Sequence, residues 1–166
     1  HVRSRRQRQM CIRDSLHPGA FSMLGVGVSF ALAAKLHDPD SHPVVISGDG
    51  AFLSGGLRIE AAFQENAPIT VVIDNNGGLT TISQQQERLF ANGSHVATDF
   101  RDIPFHTLFE GLGGYGELVE DPKEIAPAVR RAIASGRTAC VNVRTRGVIS
   151  PIVAAVTRKR DKASIE

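Results

Sequence analysis

Two short polar motifs constrain the fold of this chain more than any other feature. The triplet Gly-Asp-Gly at 48–50 and the pair Asn-Asn at 75–76 each end a short apolar run, and 24 residues separate them. The segment between the motifs has helical spacing. A strand, a helix and a parallel strand bring both strand ends to the same edge of a sheet. We therefore expect Asp49 and Asn76 to lie close together.

A carboxylate and an amide oxygen beside a glycine-rich turn suit Mg²⁺, which takes oxygen ligands and often shares them with substrate phosphates. The pattern of Gly-Asp-Gly, spacer and Asn-Asn resembles the cofactor signature of thiamine diphosphate-dependent enzymes. The resemblance implies that Asp49, Asn76 and the Gly78 carbonyl hold Mg²⁺, which clamps the cofactor diphosphate. The alternative is an ordinary α/β turn, since Gly and Asn favour turns. The resemblance also places the first motif and the residue after it against the diphosphate: Gly48, Asp49, Gly50 and Ala51.

A second segment, residues 21–27, is similar to the part of this family that holds the thiamine rings. The resemblance implies that Leu24 wedges between the two rings and that the Ser22 carbonyl accepts a hydrogen bond from the 4′-amino group. Relatives often carry Gly at the Ser22 position. The alternative is that Leu24 begins an apolar helix stripe that recurs every four residues through Leu36. Both interpretations predict a buried Leu24.

About residues 18–145 of the chain resemble a domain of known enzymes. It is the C-terminal, diphosphate-binding domain of acetolactate synthase-like and 2-hydroxyacyl-CoA lyase-like enzymes. The resemblance implies an enzyme that makes or breaks C–C bonds beside a carbonyl. Decarboxylation of a 2-oxo acid with carboligation is the first expectation. Cleavage of a 2-hydroxyacyl-CoA is the alternative, and a noncatalytic module that binds Mg²⁺ and diphosphate is a third possibility.

The family's ring-activating glutamate lies on a pyrimidine-binding domain that no segment here supplies. We therefore expect no catalytic residue within this chain and no activity from it alone. The resemblance also implies a homodimer or homotetramer formed through the missing domains. Some relatives bind FAD, but no motif here supports that cofactor.

Alternating helical and apolar patterns predict an α/β fold, with helices on both faces of a parallel sheet. Asp121 with Glu124 predicts a capping box at the start of the last helix, and Gly136 its end. Residues 77–102 are predicted to form a long loop, whose glutamine run at 84–86 borders the substrate. The predicted strands are 44–47, 69–74, 115–119 and 138–143. Three further helices are predicted: one that ends near residue 36, one at 56–66 and one at 104–112.

Residues 5–15 match, codon by codon, a transposase-type sequencing adaptor, so we interpret residues 1–15 as non-native sequence. The native part is then one domain at 16–145 and a tail at 146–166. Of 19 basic and 17 acidic residues, five arginines and one aspartate lie in 1–15, which leaves 14 basic and 16 acidic residues, a net charge of −2. The apparent basicity disappears, and with it the argument for a nucleic-acid partner.

The remaining sequence features have structural interpretations. The letters Gly-x-Gly-x-x-Gly at 111–116 match a dinucleotide fingerprint, but a predicted helix precedes them and a strand follows, the reverse of what that site needs. The native histidines, His95 and His106 included, are expected to be structural because none has an evident charge partner. Cys140 lies in an apolar run and is predicted to be buried. A lone native cysteine fits a reducing compartment, so we expect a cytoplasmic protein, and no apolar run reaches the ~18 residues of a membrane helix.

The adaptor interpretation predicts that deletion of residues 1–15 changes the free energy of unfolding by less than about 0.5 kcal/mol, the usual range for surface changes. Urea denaturation of the two forms measures the difference. A loss above about 1 kcal/mol would show that the segment packs on the domain.

Overall fold

The computed structural model describes residues 15–16, 23–90 and 92–148. Four strands alternate with six α-helices and two short 3₁₀ turns in this part of the chain. No helix among the described residues is long and apolar enough to cross a membrane. In chain order the elements are α1 (Gly27–His37), β1 (Val44–Gly48), α2 (Asp49–Gly55), a 3₁₀ turn (Gly56–Arg58), α3 (Ile59–Gln64), β2 (Thr70–Asn75), α4 (Thr80–Leu89), α5 (Phe105–Gly111), β3 (Tyr115–Val119), a second 3₁₀ turn (Pro122–Glu124), α6 (Ile125–Ala134) and β4 (Ala139–Arg144).

The strands form one parallel sheet in the order β1-β2-β4-β3. Strands β1 and β2 are adjacent, and their register pairs Val45 with Val71 and Gly48 with Asp74. The last residues of both strands therefore lie side by side at the carboxyl edge. Ligands of open α/β sheets bind at this edge. The sheet thus places the two polar motifs next to each other.

Apolar side chains pack on both faces of the sheet. On one face, β2 contributes Val71 and Ile73 to a cluster with residues of α1, α2, α3 and α5, including Phe105 and Phe109. On the other face, residues of β4 pack against α6. Each fully buried aliphatic or aromatic side chain contributes about 1.5–3 kcal/mol relative to exposure. Within the described part of the chain, helix cover is incomplete at the edge strand β1, where Ile46 is 83% exposed.

The predicted α/β class and parallel sheet are confirmed, and each predicted strand lies within one residue of the observed one. The helical segment between the motifs begins earlier than predicted, at Asp49 rather than Gly56, because α2 precedes the 3₁₀ turn and α3. The glycines at 55 and 56 do not delay it, because Phe52 anchors its first turns in the core at 2% exposure.

The prediction that residues 77–102 form a loop is wrong for Thr80–Leu89, which is α4. This stretch contains no Gly or Pro and is rich in Gln, Glu, Arg and Leu, which have good helix propensity. The capping box before α6 is also only half correct. Asp121 accepts a hydrogen bond from the Lys123 N–H at 2.9 Å, but the Glu124 carboxylate pairs with Arg131 at 3.3 Å. Gly136 does end this helix region, with φ of +63°.

Burial of Cys140 is confirmed, since its residue exposure is 0% on the central strand β4. Burial raises the pKa of its thiol, because the apolar surroundings disfavour the thiolate.

This burial predicts that a thiol reagent modifies Cys140 only when the domain unfolds. Cys11→Ser leaves Cys140 as the one thiol of the chain, so labelling of that variant with a chromogenic disulfide at pH 8 reports on it alone. The labelling rate should rise with urea in parallel with the loss of circular dichroism. Fast labelling of the folded protein would contradict the buried position.

Candidate cofactor site

The carboxylate of Asp49 is the centre of the candidate site. Asp49 is 2% exposed at the start of α2. Its Oδ1 accepts a hydrogen bond from the Gly50 N–H at 2.6 Å, and its Oδ2 accepts from the N–H groups of Gly77 and Gly78 at 2.8 and 2.9 Å. Three backbone donors therefore stabilise one buried charge, as hydrogen bonds to a carboxylate must when water is excluded. They also join the first motif to the loop that directly follows the second.

Other residues approach two glycines of this site closely, and at Gly78 the approach is by backbone, which requires glycine. A Cβ at Gly50 would lie 2.3 Å from Leu79 Cδ2. A Cβ at Gly78 would lie 2.3 Å from the Thr98 carbonyl oxygen, and Gly78 has φ of +157°. A backbone contact cannot yield as a flexible side chain can. The loop after β2 is therefore packed tightly between α2 and the segment around Thr98.

The two asparagines after β2 have different surroundings. Asn75 is 5% exposed, and its Nδ2 donates to the Ile103 carbonyl at 3.1 Å. Asn76 is half-buried, and its Oδ1 accepts from the Thr80 hydroxyl at 2.9 Å. The hydrogen bond of Asn75 therefore fixes the chain around Ile103. The Asn76 oxygen uses one lone pair for Thr80 and has a second one available, next to the loop of Gly77 and Gly78.

The structure brings together most residues that the sequence had singled out. Asp49 contacts Gly50 and Gly78, and Asn76 directly precedes the loop that they share. Gly48 lies at the end of β1 and caps α2 from its extended conformation, and Ala51 lies in the first turn of α2. The Gly50 N–H that was expected to face a diphosphate donates to Asp49 here.

The second predicted segment gives a different result. Ser22 lies outside the described residues. Leu24 lies in a turn before α1 and is 58% exposed, so the prediction that it is buried is wrong for this chain. The helix begins only at Gly27, because the Gly25 backbone, with φ of +87°, packs against Gly55. Leu24 therefore cannot belong to a helix core stripe, and its proposed place between the cofactor rings stays a prediction.

The donor atoms at the site fit a hard cation. An ionised carboxylate offers about four lone-pair sites, and Asp49 uses three of them for backbone donors. The pairing of the loop with residues 98–100 uses the Gly77 carbonyl and the Leu79 N–H, and leaves the Gly78 carbonyl outside these two bonds. No group of three or more His, Cys, Asp or Glu that could hold a metal exists in the described part of the chain. The Asp49 carboxylate, the Asn76 amide oxygen and the Gly78 carbonyl are oxygen donors of mixed type, as Mg²⁺ prefers when it shares its coordination with phosphates.

Sequence reasoning missed the residues that enclose this loop. Thr98 is 3% exposed, and its carbonyl accepts from the Leu79 N–H at 2.8 Å. Phe100 donates its N–H to the Gly77 carbonyl at 2.8 Å, and its ring lies near Gly50. No local pattern marks these two residues, since their role depends on pairing with a distant segment.

A family model described as "Thiamine pyrophosphate enzyme, C-terminal TPP binding domain" matches residues 2–143 of the chain. This range covers both motifs, the first three strands and all of β4 except its last residue. It also begins inside the segment attributed to an adaptor, whose origin stays a prediction.

Named relatives agree with the family model. A probable acetolactate synthase of Mycobacterium bovis is 40% identical over 131 residues, which are 78% of this chain and 24% of the relative. A 2-hydroxyacyl-CoA lyase 2 of Bos taurus is 36% identical over 119 residues, 70% of this chain and 18% of that protein. A solved thiamine diphosphate-dependent 4-hydroxybenzoylformate decarboxylase of Rhodococcus jostii superposes with a TM-score of 0.63 at 28% identity, covering 76% of this chain and 24% of that one. The chain thus spans about a quarter or less of the length of these relatives.

The tight contact at Gly78 predicts that Gly78→Ala lowers the free energy of unfolding by about 1–3 kcal/mol, the cost of backbone strain at one residue. Gly111→Ala is the matched control, because a Cβ there meets nothing within 4 Å. The control should stay within about 0.5 kcal/mol of the wild type. Urea denaturation measures both, and equal stability of the two variants would contradict the packing described for Gly78.

Proposed function

The chain belongs to the thiamine pyrophosphate enzymes and contains their C-terminal TPP-binding domain, and from this premise we propose that Asp49, Asn76 and the Gly78 carbonyl hold the Mg²⁺ that binds the cofactor diphosphate. The observation that carries the proposal is the buried Asp49 carboxylate, which three backbone N–H groups fix at the carboxyl edge of the sheet. When bound, thiamine diphosphate supplies an electron sink for chemistry at the carbon next to a carbonyl.

Charge balance supports a role for the cation. A diphosphate and the Asp49 carboxylate are both anionic, so they repel unless a divalent ion lies between them. Asp49 is held at 2% exposure, where repulsion is poorly screened. Chelation of the ion should therefore weaken cofactor binding strongly.

The residues of this chain would bind and orient the cofactor and leave its activation to other parts of the enzyme. Backbone N–H groups near the start of α2, such as that of Ala51, are suited to an anion. We propose that a glutamate on a separate pyrimidine-binding domain activates the cofactor, in an assembly of at least two subunits.

For the complete enzyme we propose an acetolactate synthase-like reaction, in which a 2-oxo acid is decarboxylated and joined to a second carbonyl compound. The 40% identity to the mycobacterial synthase supports this choice. Cleavage of a 2-hydroxyacyl-CoA is the second candidate, and the 36% identity to the bovine lyase favours it over other reactions. We place the enzyme in the cytoplasm, where a buried free thiol such as Cys140 stays reduced.

Substrate consumption distinguishes the two reactions. The full-length protein with cofactor and Mg²⁺ is incubated separately with pyruvate and with a 2-hydroxyacyl-CoA, and both substrates are followed by chromatography. Turnover of pyruvate to a carboligation product supports the synthase, and loss of the thioester supports the lyase. Binding of cofactor with no turnover of any such substrate would favour a noncatalytic module.

The metal proposal predicts that Asp49→Asn and Asn76→Ala each weaken binding of thiamine diphosphate by about tenfold or more, since even indirect partners of a metal typically cost that much. The measurement is calorimetric titration of the full-length protein with the cofactor, with and without Mg²⁺. Asp74→Asn is the matched control, because Asp74 is an exposed carboxylate at the same edge of the sheet. The 166-residue chain alone should bind more weakly than the full-length protein.

Equal affinity with and without Mg²⁺ would refute the clamp. Loss of affinity in Asp74→Asn as large as in Asp49→Asn would show a general effect of charge at this edge instead of a ligand. Asn76→Ala separates the loss of a metal ligand from a folding defect. The Asn76 side chain makes only one hydrogen bond among the described residues, to Thr80, so its removal disturbs the fold little.

A further inference from the structure

Residues 95–100 form a segment that we call the strap, which lies between helix α4 and the loop of Gly77 and Gly78. The strap pairs with the loop as a short antiparallel bridge between Gly78 and Asp99. Two hydrogen bonds of 2.8 Å flank the bridge, from Leu79 N–H to the Thr98 carbonyl and from Phe100 N–H to the Gly77 carbonyl. Any displacement of the strap would therefore move the loop that donates to Asp49.

One side chain of α4 binds the strap through its backbone. The Gln86 amide accepts at Oε1 from the Val96 N–H at 2.7 Å and donates from Nε2 to the Val96 carbonyl at 3.1 Å. The Thr98 hydroxyl donates to the same Oε1 at 3.4 Å. The amide thus binds both the N–H and the carbonyl of one residue, as the backbone of a neighbouring strand would. Its effect does not depend on pH, because an amide does not titrate.

A second contact between α4 and the strap does titrate. The His95 ring faces the Asp99 carboxylate with Nδ1 at 2.8 Å and the Glu87 carboxylate with Nε2 at 2.9 Å. These two are the charged groups that face the ring, Glu87 from α4 and Asp99 from the strap itself. Asp99 also accepts from the Ser83 hydroxyl at 3.3 Å. Only the imidazolium donates from both nitrogens, so only the protonated ring satisfies both carboxylates.

We propose that the strap positions the Gly77 and Gly78 amides against Asp49, and that Gln86 and His95 are positioning residues that attach the strap to α4, one independent of pH and the other dependent on it. The importance of this attachment for metal binding rests on the proposed function. The positioning of the loop does not, because it involves contacts within this chain alone.

The direction of the pH effect follows from the two carboxylates. Their hydrogen bonds raise the pKa of His95 above its ordinary value of 6.5, with that from Asp99 the larger cause. A raised folded-state pKa means that the contribution to stability is complete below the unfolded value and is lost as pH rises through the folded value. The attachment at His95 is therefore strongest in acid and weakens on the alkaline side.

Amide hydrogen exchange of the 166-residue chain without cofactor tests this proposal. The readout is the protection factor of the Gly77 and Gly78 amides, corrected for intrinsic exchange, between about pH 5.5 and 8.5, the range in which a histidine titrates. The Ile73 amide of β2 monitors the fold, because Ile73 is 0% exposed. Gln64→Leu and His37→Gln, at exposed positions of other helices, are the matched controls.

We expect Gln86→Leu to lower protection of both loop amides about twofold to tenfold at all pH values, as loss of a surface hydrogen-bond pair would. In the wild type, protection should fall as pH rises. His95→Gln should start lower and lose this pH dependence. His95→Arg should lose the pH dependence but keep the protection, because a permanent cation can still bridge the two carboxylates.

Wild-type protection of the loop amides in both Gln86→Leu and His95→Gln would overturn the proposal. So would an unchanged pH dependence in His95→Arg. If Gln86→Leu also lowers protection at Ile73, the fold itself is affected and the His95 variants decide. Because this experiment uses no cofactor, its failure leaves the metal proposal standing, whereas equal cofactor affinity with and without Mg²⁺ in the wild type would refute the metal proposal alone.

Discussion

The buried carboxylate of Asp49 is the interaction on which the rest of the site depends. A charge at 2% exposure is strongly unfavourable unless it is hydrogen-bonded, so the chain must bring donors to it. The donors come from its own helix start and from the loop after the neighbouring strand. The parallel register of β1 and β2 makes this possible, because it sets Gly48 beside Asp74. The buried carboxylate thus depends on the register of the sheet and on the backbone N–H groups of the glycines.

The strands, and the common edge at which β1 and β2 end, were predictable from the sequence because local signals agreed with the tertiary structure. Apolar runs such as 69–74 are long enough for a buried strand, and motifs that end two successive strands imply a common edge. The helix Thr80–Leu89 was missed because its polar composition and the glycines before it are also typical of a loop. The helix propensity of its residues favours a helix, whereas its apolar periodicity is weak.

The enclosure of the site could not be predicted in the same way. Thr98, Phe100 and Gln86 act through hydrogen bonds to residues 10 to 23 positions away, and nothing in their neighbours specifies those partners. The same is true of His95, whose two carboxylate partners lie eight positions before it and four after it. A lone histidine is ordinarily a surface residue, and only the path of the strap makes it a bridge. The placement of the two motifs at one sheet edge was therefore predictable, and the packing that encloses them was not.

The three backbone donors also explain how one carboxylate can suffice where cation sites often use several. Their hydrogen bonds hold Asp49 in one orientation, so a cation would not pay the entropy of ordering it. A single fixed charge with neutral amide and carbonyl oxygens leaves most of a divalent charge uncompensated. In the proposed site that excess would attract a second anion, and a diphosphate would fit this requirement better than a neutral ligand. A site with three carboxylates would bind the metal more tightly but would repel the diphosphate, so the sparse donor set favours a shared cation.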